Sequence, residues 1–333
     1  MRRRVALVID GRDGMTDFAR RRCLQLTEIF NRIGSTVDLI AFVGTAKEQA
    51  LTEFIAGVSS ISYVDATLSR DGTAQSRMPS PRCTRPSQTD IVCLPPTLLP
   101  MVPADHRLRI LDCFDGNAGI SADASDLCLT ALEGARQDLT DTGSEAMRLP
   151  PRLASRNGAS PAAQLIGWPD LWDDALSAAW RPVLQSLVRR LVFPTEGLLL
   201  GCDGARHDFV PALLRQYCAP ETGVPPRRAL LATGLGVLPG VPVEPYLAPL
   251  LDLIAAGRPV IASSSATASF EDRWHLPTTD DSEEVSDLIA GWVADENRGV
   301  LIEAAAATAA AMRRDVDAME HHIAGVLDAR IGS

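Results

Sequence analysis

Two carboxylates mark the stretch "VEPYLAPLLDLIAAGRPVIAS", residues 243–263: Glu244 and Asp252, eight positions apart in a run otherwise almost free of charge. Tyr246 to Ala256 reads as a helix that follows a strand and a turn. The first N–H groups of such a helix, at Tyr246, Leu247 and Ala248, have no partner within it and face the carboxyl edge of the sheet. A terminus of that kind attracts anions, and two linked phosphoryl groups suit it. Asp252 lies on the order of 8 Å further along, at ~1.5 Å per residue. An ionised carboxylate only accepts hydrogen bonds, so it matches the vicinal hydroxyls of a ribose. Glu244, just before the helix, is placed to accept from hydroxyls of a sugar beyond the phosphates. The plainer reading makes Glu244 a loop acid favoured by the helix dipole and Asp252 a solvated helix residue.

Other residues invite chemistry less specifically. Asp112 and Asp115 in "LDCFDGNAG" sit at a strand's carboxyl end, where acids meet ligands, yet Asp115 beside Gly116 equally caps a turn. Trp168, Trp172 and Trp180 gather near the end of another strand, as a stacking platform or as core. His106 reads as an idle loop histidine. His321 and His322 have no acid or cysteine at metal spacing. No phosphate-binding P-loop, GxSxG elbow or GxGxxG followed by a helix occurs, which counts against NTPase, hydrolase and dinucleotide chemistry.

The elements that must position these groups alternate. Strands are expected over 5–9, 37–43, 61–64, 90–94, 109–114 and 127–131, with helices over 17–34 and 45–57. Gly11 to Gly14 makes a turn after the first strand. The stretch 67–89 holds almost no large apolar side chain and reads as an excursion. A polar, proline-containing segment, 143–161, reads as the strap between two halves. The second half repeats the rhythm: strands over 162–167, 197–201, 228–233 and 259–263, helices over 172–191, 205–217 and 246–256. Pro182 is expected to kink the first of these. Asp281 and Glu284 form a capping-box pattern ahead of a further helix. A last helix over about 299–329 carries Met312, Val316, Met319, Ile323 and Val326 on one side. Strand and helix in alternation predict an α/β chain of two Rossmann-like, doubly wound domains facing across a cleft.

Bulk properties narrow the partners. The chain has 333 residues, 46% hydrophobic and 22% charged, enough for two ordinary domains. With 42 acids against 32 bases its net charge is −10, which argues against nucleic acid and gives no sign of membrane association. Seven scattered cysteines without a CxxC pair point to a reducing, cytoplasmic setting. Five apolar residues before Asp10 are too few for a signal peptide core.

The 243–263 stretch resembles the donor-site signature of retaining GT-B glycosyltransferases of the glycogen-synthase-like class (group 1, family 4-like). Glu244, Pro249, Asp252, Ala255, Gly257, Pro259, Val260, Ile261, Ala262 and Ser263 match it in register. "QLIGWPDLWDDALSAAWRPVLQSLVRR" and "EGLLLGCDGAR" are similar to the first two strand-and-turn segments of that class's donor domain, and "SDLCLTALEGARQDLTDTG" to a segment of its acceptor domain. The resemblance implies residues 1–152 as acceptor-side domain and 153–333 as donor domain with the long last helix. It implies a nucleoside-diphosphate sugar as donor substrate, an unidentified acceptor, no further cofactor and no metal, with Glu244, Tyr246, Leu247, Ala248 and Asp252 at the donor.

The chain also departs from that class. The Arg and Lys expected after the first donor-domain strand are replaced by "WPDLWDDA"; Arg152, Arg156 and Arg206 are the nearest bases, none at a matching position. The acceptor-domain histidine is replaced by Leu94 and Pro95. These departures motivate a second expectation, a catalytically weak or inactive GT-B-like subunit with a binding role, and a third is a wound-sheet enzyme such as a sugar epimerase.

Overall fold

The computed structural model describes residues 3–11, 17–43, 57–65, 91–101, 107–113, 125–153, 165–168, 174–194, 197–200, 209–218, 233–241, 246–264 and 276–332. The expected excursion over 67–89 lies outside these residues. So do the helix over 45–57 except Gly57, and the strand over 228–233 except Thr233. By contacts the chain forms two units, Met1–Arg152 with Asp315–Ser333, and Leu153–Arg314.

The first unit runs β1 (Arg4–Gly11), α1 (Asp17–Arg32), β2 (Thr36–Val43), β3 (Ser60–Asp65), β4 (Ile91–Leu94), a 3-10 turn at Pro96–Met101, β5 (Leu108–Cys113), β6 (Leu127–Thr130), α2 (Glu133–Asp141) and β7 (Ala146–Arg148). Its seven strands pair in parallel in the order β3-β2-β1-β4-β5-β6-β7. A parallel sheet is covered on both faces, which explains the unbroken apolar runs "VALVI", "IVCL" and "LCLT". One face packs Val5, Leu7, Cys93 and Ile110 against Cys23, Leu26, Ile29 and Phe30 of α1. The other packs Ala6, Val8, Val92 and Leu111 with Leu98 and with Leu139 of α2. The strand β7 lies inside the segment read from sequence as a strap. Three residues are too few to show a periodicity, and the strand is defined by pairing with β6.

The second unit contains β8 (Ile166–Trp168), α3 (Asp174–Arg189), β9 (Leu198–Leu200), α4 (Ala212–Arg215), β10 (Leu235–Leu238), α5 (Leu247–Ala255), β11 (Val260–Ala262) and α6 (Ser282–Val293). Its sheet is parallel, in the order β11-β10-β8-β9. The helix α3 continues through Pro182. It packs against α6, where the Ser286 hydroxyl lies 3.3 Å from the Val183 carbonyl and Ser186 donates to Glu283 at 2.7 Å. The start of α6 differs from a reciprocal capping box. Asp281 accepts from the Glu283 amide, but Glu284 takes the Thr279 hydroxyl, and that hydroxyl in turn accepts from the Asp281 amide at 3.1 Å.

The last helix, α7 (Arg298–Gly332), begins in the second unit and ends in the first. Ile323, Ala324, Leu327 and Ile331 join the face of the first sheet that α1 covers. A buried polar set holds them in register. The Arg22 guanidinium donates to the Leu149 carbonyl at 2.6 Å and to Asp112 at 2.6 Å; Gln25 donates to the Pro150 carbonyl at 2.8 Å and to Glu320 at 3.0 Å. Arg152 adds two bonds to the same Glu320 carboxylate, which is 2% exposed. Asp112 is thus spent on a structural ion pair.

Two expected outcomes follow from this packing. Removing the carboxylate in Glu320→Ala deletes two of Arg152's bonds and one of Gln25's, leaving Arg152 only Glu28 and Gln25 only the Pro150 carbonyl, so chemical denaturation should show a loss of about 3 kcal/mol in stability; a loss below about 1 kcal/mol would mean the set does not anchor the helix. A second concerns Gly236, where an added Cβ would stand 2.8 Å from Leu253 Cδ1 of α5 and 3.2 Å from Val260 Cγ2. Gly236→Ala should therefore lower the melting temperature, with a cost of about 1–3 kcal/mol from overpacking. Leu253→Ala in the same chain should relieve the clash, so that the two costs do not add.

Candidate functional site

In the second sheet β8 lies between β9 and β10, so the chain leaves β8 toward one side and β10 toward the other. The crevice beyond the carboxyl ends of two such strands is where wound sheets bind ligands. The strand β10 leads through residues 239–246 into α5, which places the start of α5 at that edge. The strand expected over 228–233 lies outside the described residues apart from Thr233; β10 is the glycine-containing "LGVL", 235–238, which the sequence pattern did not single out. Glycine has little strand propensity, and here it is required by the close approach of Leu253.

The seat of α5 is fixed at both ends. At its start, the loop after β10 is braced by Ser263. That hydroxyl, fully buried, donates to the Val241 carbonyl at 3.1 Å, while the Ser263 amide donates to Leu238 at 3.1 Å. At its end, Gly257 adopts φ +71°, and the amides of Gly257 and Arg258 reach back to the carbonyls of Ile254 and Leu253, both at 2.9 Å. This double bond pattern closes a helix and favours glycine at the left-handed position.

Of the residues picked out by sequence, Tyr246, Leu247, Ala248 and Asp252 are described on this one element, and Glu244 lies outside the described residues. Tyr246 is the N-cap, with φ −108° and ψ 6°, and its side chain makes no cap hydrogen bond. It is 1% exposed, its ring perpendicular to that of Trp168 with centroids 6.0 Å apart. The first turn carries neither acid nor base. The amides of Leu247 and Ala248 are the helical donors there, because Pro249 has no N–H. Leu247, Pro249, Leu250, Leu251, Leu253, Ile254 and Ala255 are all buried. Ala248, Asp252 and Ala256, spaced by four, make the one half-buried line along the helix. Asp252 is therefore neither core nor fully solvated. It sits one turn, about 6 Å, beyond Ala248 on the same line.

The arrangement offers partial positive charge at one end and a carboxylate acceptor one turn away. That is suited to a ligand carrying an anion and hydroxyls within about 6–8 Å of each other. Trp168 and Trp180 are both fully buried, so neither is an open stacking platform; Trp172 lies outside the described residues. Arg152 is engaged by Glu320 and Glu28, while Arg156, Arg206, His106 and Asp115 lie outside the described residues. Among the described residues no three His, Cys, Asp or Glu side chains group as metal ligands, and no helix is long and apolar enough to cross a membrane. Sequence reasoning missed the Trp168–Tyr246 contact and the Ser263 brace. Ser263 was in the matched signature, and its place just after an apolar strand was the available sign of a buried hydroxyl.

No protein-family model and no curated protein matches this sequence. Solved structures do. Anabaena HepE, solved with UDP and glucose, is 14% identical over 98% of this chain and 100% of its own, with a TM-score of 0.63. A glycosyltransferase from Rickettsia africae is 10% identical over 99% of each chain, TM-score 0.58. The glycotransferase of kitacinnamycin is 13% identical over 99% of this chain and 100% of its own, TM-score 0.56. At such identities the common property is the path of the backbone, and it extends over nearly the whole chain: this protein has the GT-B fold, as its sequence pattern predicts.

Proposed function

We propose that this chain is a glycosyltransferase that moves a sugar from a nucleoside-diphosphate sugar to an acceptor hydroxyl or similar nucleophile. The observation that carries the reading is the start of α5. Its two free amides stand at the carboxyl edge of the second sheet beside the strand-order switch, with Asp252 one turn away on the only half-open line of the helix. In this reading the diphosphate lies against the amides of Leu247 and Ala248. Asp252 accepts from the ribose hydroxyls and Glu244 from hydroxyls of the donor sugar. Tyr246, buried against Trp168, holds the first turn in place. Charge developing on the leaving diphosphate is stabilised by fixed dipoles, which need no reorganisation as the bond breaks. The transfer is proposed to need no metal, to keep the anomeric configuration, as the resemblance around Glu244 and Asp252 implies, and to take place in the cytoplasm. The fold it shares with HepE, a protein solved with UDP and glucose, supports the donor class.

The test uses calorimetry with UDP-, GDP- and dTDP-sugars. Asp252→Ala and Glu244→Ala should each weaken donor binding about 10-fold or more, the loss expected for a hydrogen bond to a charged group, with little change in melting temperature. Unchanged donor affinity in both variants would falsify these roles. In the same mixtures, release of nucleoside diphosphate marks transfer or donor hydrolysis. Binding without release across the panel favours the inactive-subunit reading, and an epimerised nucleotide sugar without release favours an epimerase.

A further inference from the structure

One buried polar atom on the residue that packs against the start of α5 lacks a hydrogen-bond partner among the described residues. The indole Nε1 of Trp168 is buried and finds no acceptor among the described residues, in a side chain that is 0% exposed. Buried donors are almost always paired, because an unmade bond forfeits the hydration that the group had in water. Trp168 is the last residue of β8, at the carboxyl edge, paired with Leu200 of β9. The residue before it, Gly167, pairs with Gly236 of β10, so Trp168 stands beside the β8–β10 switch. Its ring meets edge to face with that of Tyr246, the residue that opens α5. The side chain with the unsatisfied donor thus packs on the residue that opens α5, whose first two amides have no partner inside the helix and whose first turn contributes no charged group.

We infer that the Trp168 indole N–H is a ligand donor, and that the atom it meets is a phosphoryl oxygen of the nucleotide. This rests on the donor reading given above and adds to it a named contact. The N–H is a donor only, so it selects an acceptor atom on the ligand. A phosphoryl group at the α5 amides presents several such oxygens, all acceptors. The indole then acts with the amides of Leu247 and Ala248 as a third neutral donor. The N–H is closed to solvent in this structure, so the contact requires the groups that cover it to shift as the ligand binds, after which little water competes for either partner.

The experiment follows indole resonances of the full-length, 15N-labelled protein, which has five tryptophans. Trp168→Phe identifies the Trp168 peak by its loss. Should that variant not fold, the nuclear Overhauser contact with the Tyr246 ring identifies the peak in the unaltered chain. UDP, GDP and dTDP are added in turn, each with its parent nucleoside as control. The expected result is a downfield shift of the Trp168 indole proton with a diphosphate that binds, and none with the nucleoside alone. Trp168→Phe should bind that diphosphate about 10-fold more weakly. Its melting temperature should fall, because the phenyl ring is smaller than the indole and leaves a void at a fully buried position, so the indole resonance carries the assignment. A diphosphate that binds and moves other peaks while leaving the Trp168 peak unmoved overturns this inference and leaves the donor reading standing. A nucleoside that shifts the peak as strongly as the diphosphate overturns the phosphoryl assignment. If no nucleotide or nucleotide sugar binds, the donor reading fails, and this inference with it.

Discussion

A parallel sheet obliges the chain to return to the same edge after every strand. Each return must cross a face of the sheet, and each helix that makes the crossing starts near the carboxyl edge, where the strand has just ended. That constraint gathers loops and helix N-termini along one side of each sheet. In the second unit it brings the end of β8 and the start of α5 together, because β8 and β10 are neighbours whose connections depart to opposite sides. The chemistry of the site is inherited from this geometry. The unpaired amides at Leu247 and Ala248 come from the helix having a beginning, and their position comes from the sheet.

How close α5 may come is set by small details of the strands beneath it. Gly236 admits Leu253 to a distance that a methyl group would block, and Val260 of β11 closes the other side. The Ser263 hydroxyl then ties the loop after β10 to the end of β11. A donor amide useful to a ligand has to be held without motion, and these contacts hold it through close packing and buried hydrogen bonds. Neutral donors suit such a setting. They carry no charge to be desolvated, and their dipoles act strongly where water is scarce.

In the first unit a comparable problem is solved with charge. The last turns of α7 meet the sheet through Ile323, Ala324, Leu327 and Ile331, aliphatic contacts that tolerate sliding. The Glu320 carboxylate does not slide. It takes Gln25 on α1 and Arg152 after β7, while Arg22 and Gln25 hold the carbonyls of Leu149 and Pro150. Burying Glu320 at 2% exposure costs hydration, offset by several short bonds to donors of matching geometry. The set therefore joins α1, the end of the first sheet and α7 in one register.

Much of the architecture was legible in the residues. The runs "VALVI", "IVCL" and "LCLT" announce buried parallel strands, because only such strands are apolar on both faces, and the spacing of Cys23, Leu26, Ile29 and Phe30 announces the face of α1. The helix expected between Tyr246 and Ala256, found at Leu247–Ala255, followed from period alone. What the sequence could not supply were properties that exist only between segments. The strand β7 is defined by its pairing with β6, and β10 by neighbours that accept a glycine. The burial of Glu320 depends on groups as distant in sequence as Gln25 and Pro150, and Asp112, an acid well placed for a ligand, belongs to Arg22, 90 residues earlier. Trp168 reads as one more core aromatic until its neighbours are known, since whether a buried N–H is satisfied is a fact about the acceptors around it. Local composition and period determine which elements form; which donors and acceptors are left over is decided when the elements meet.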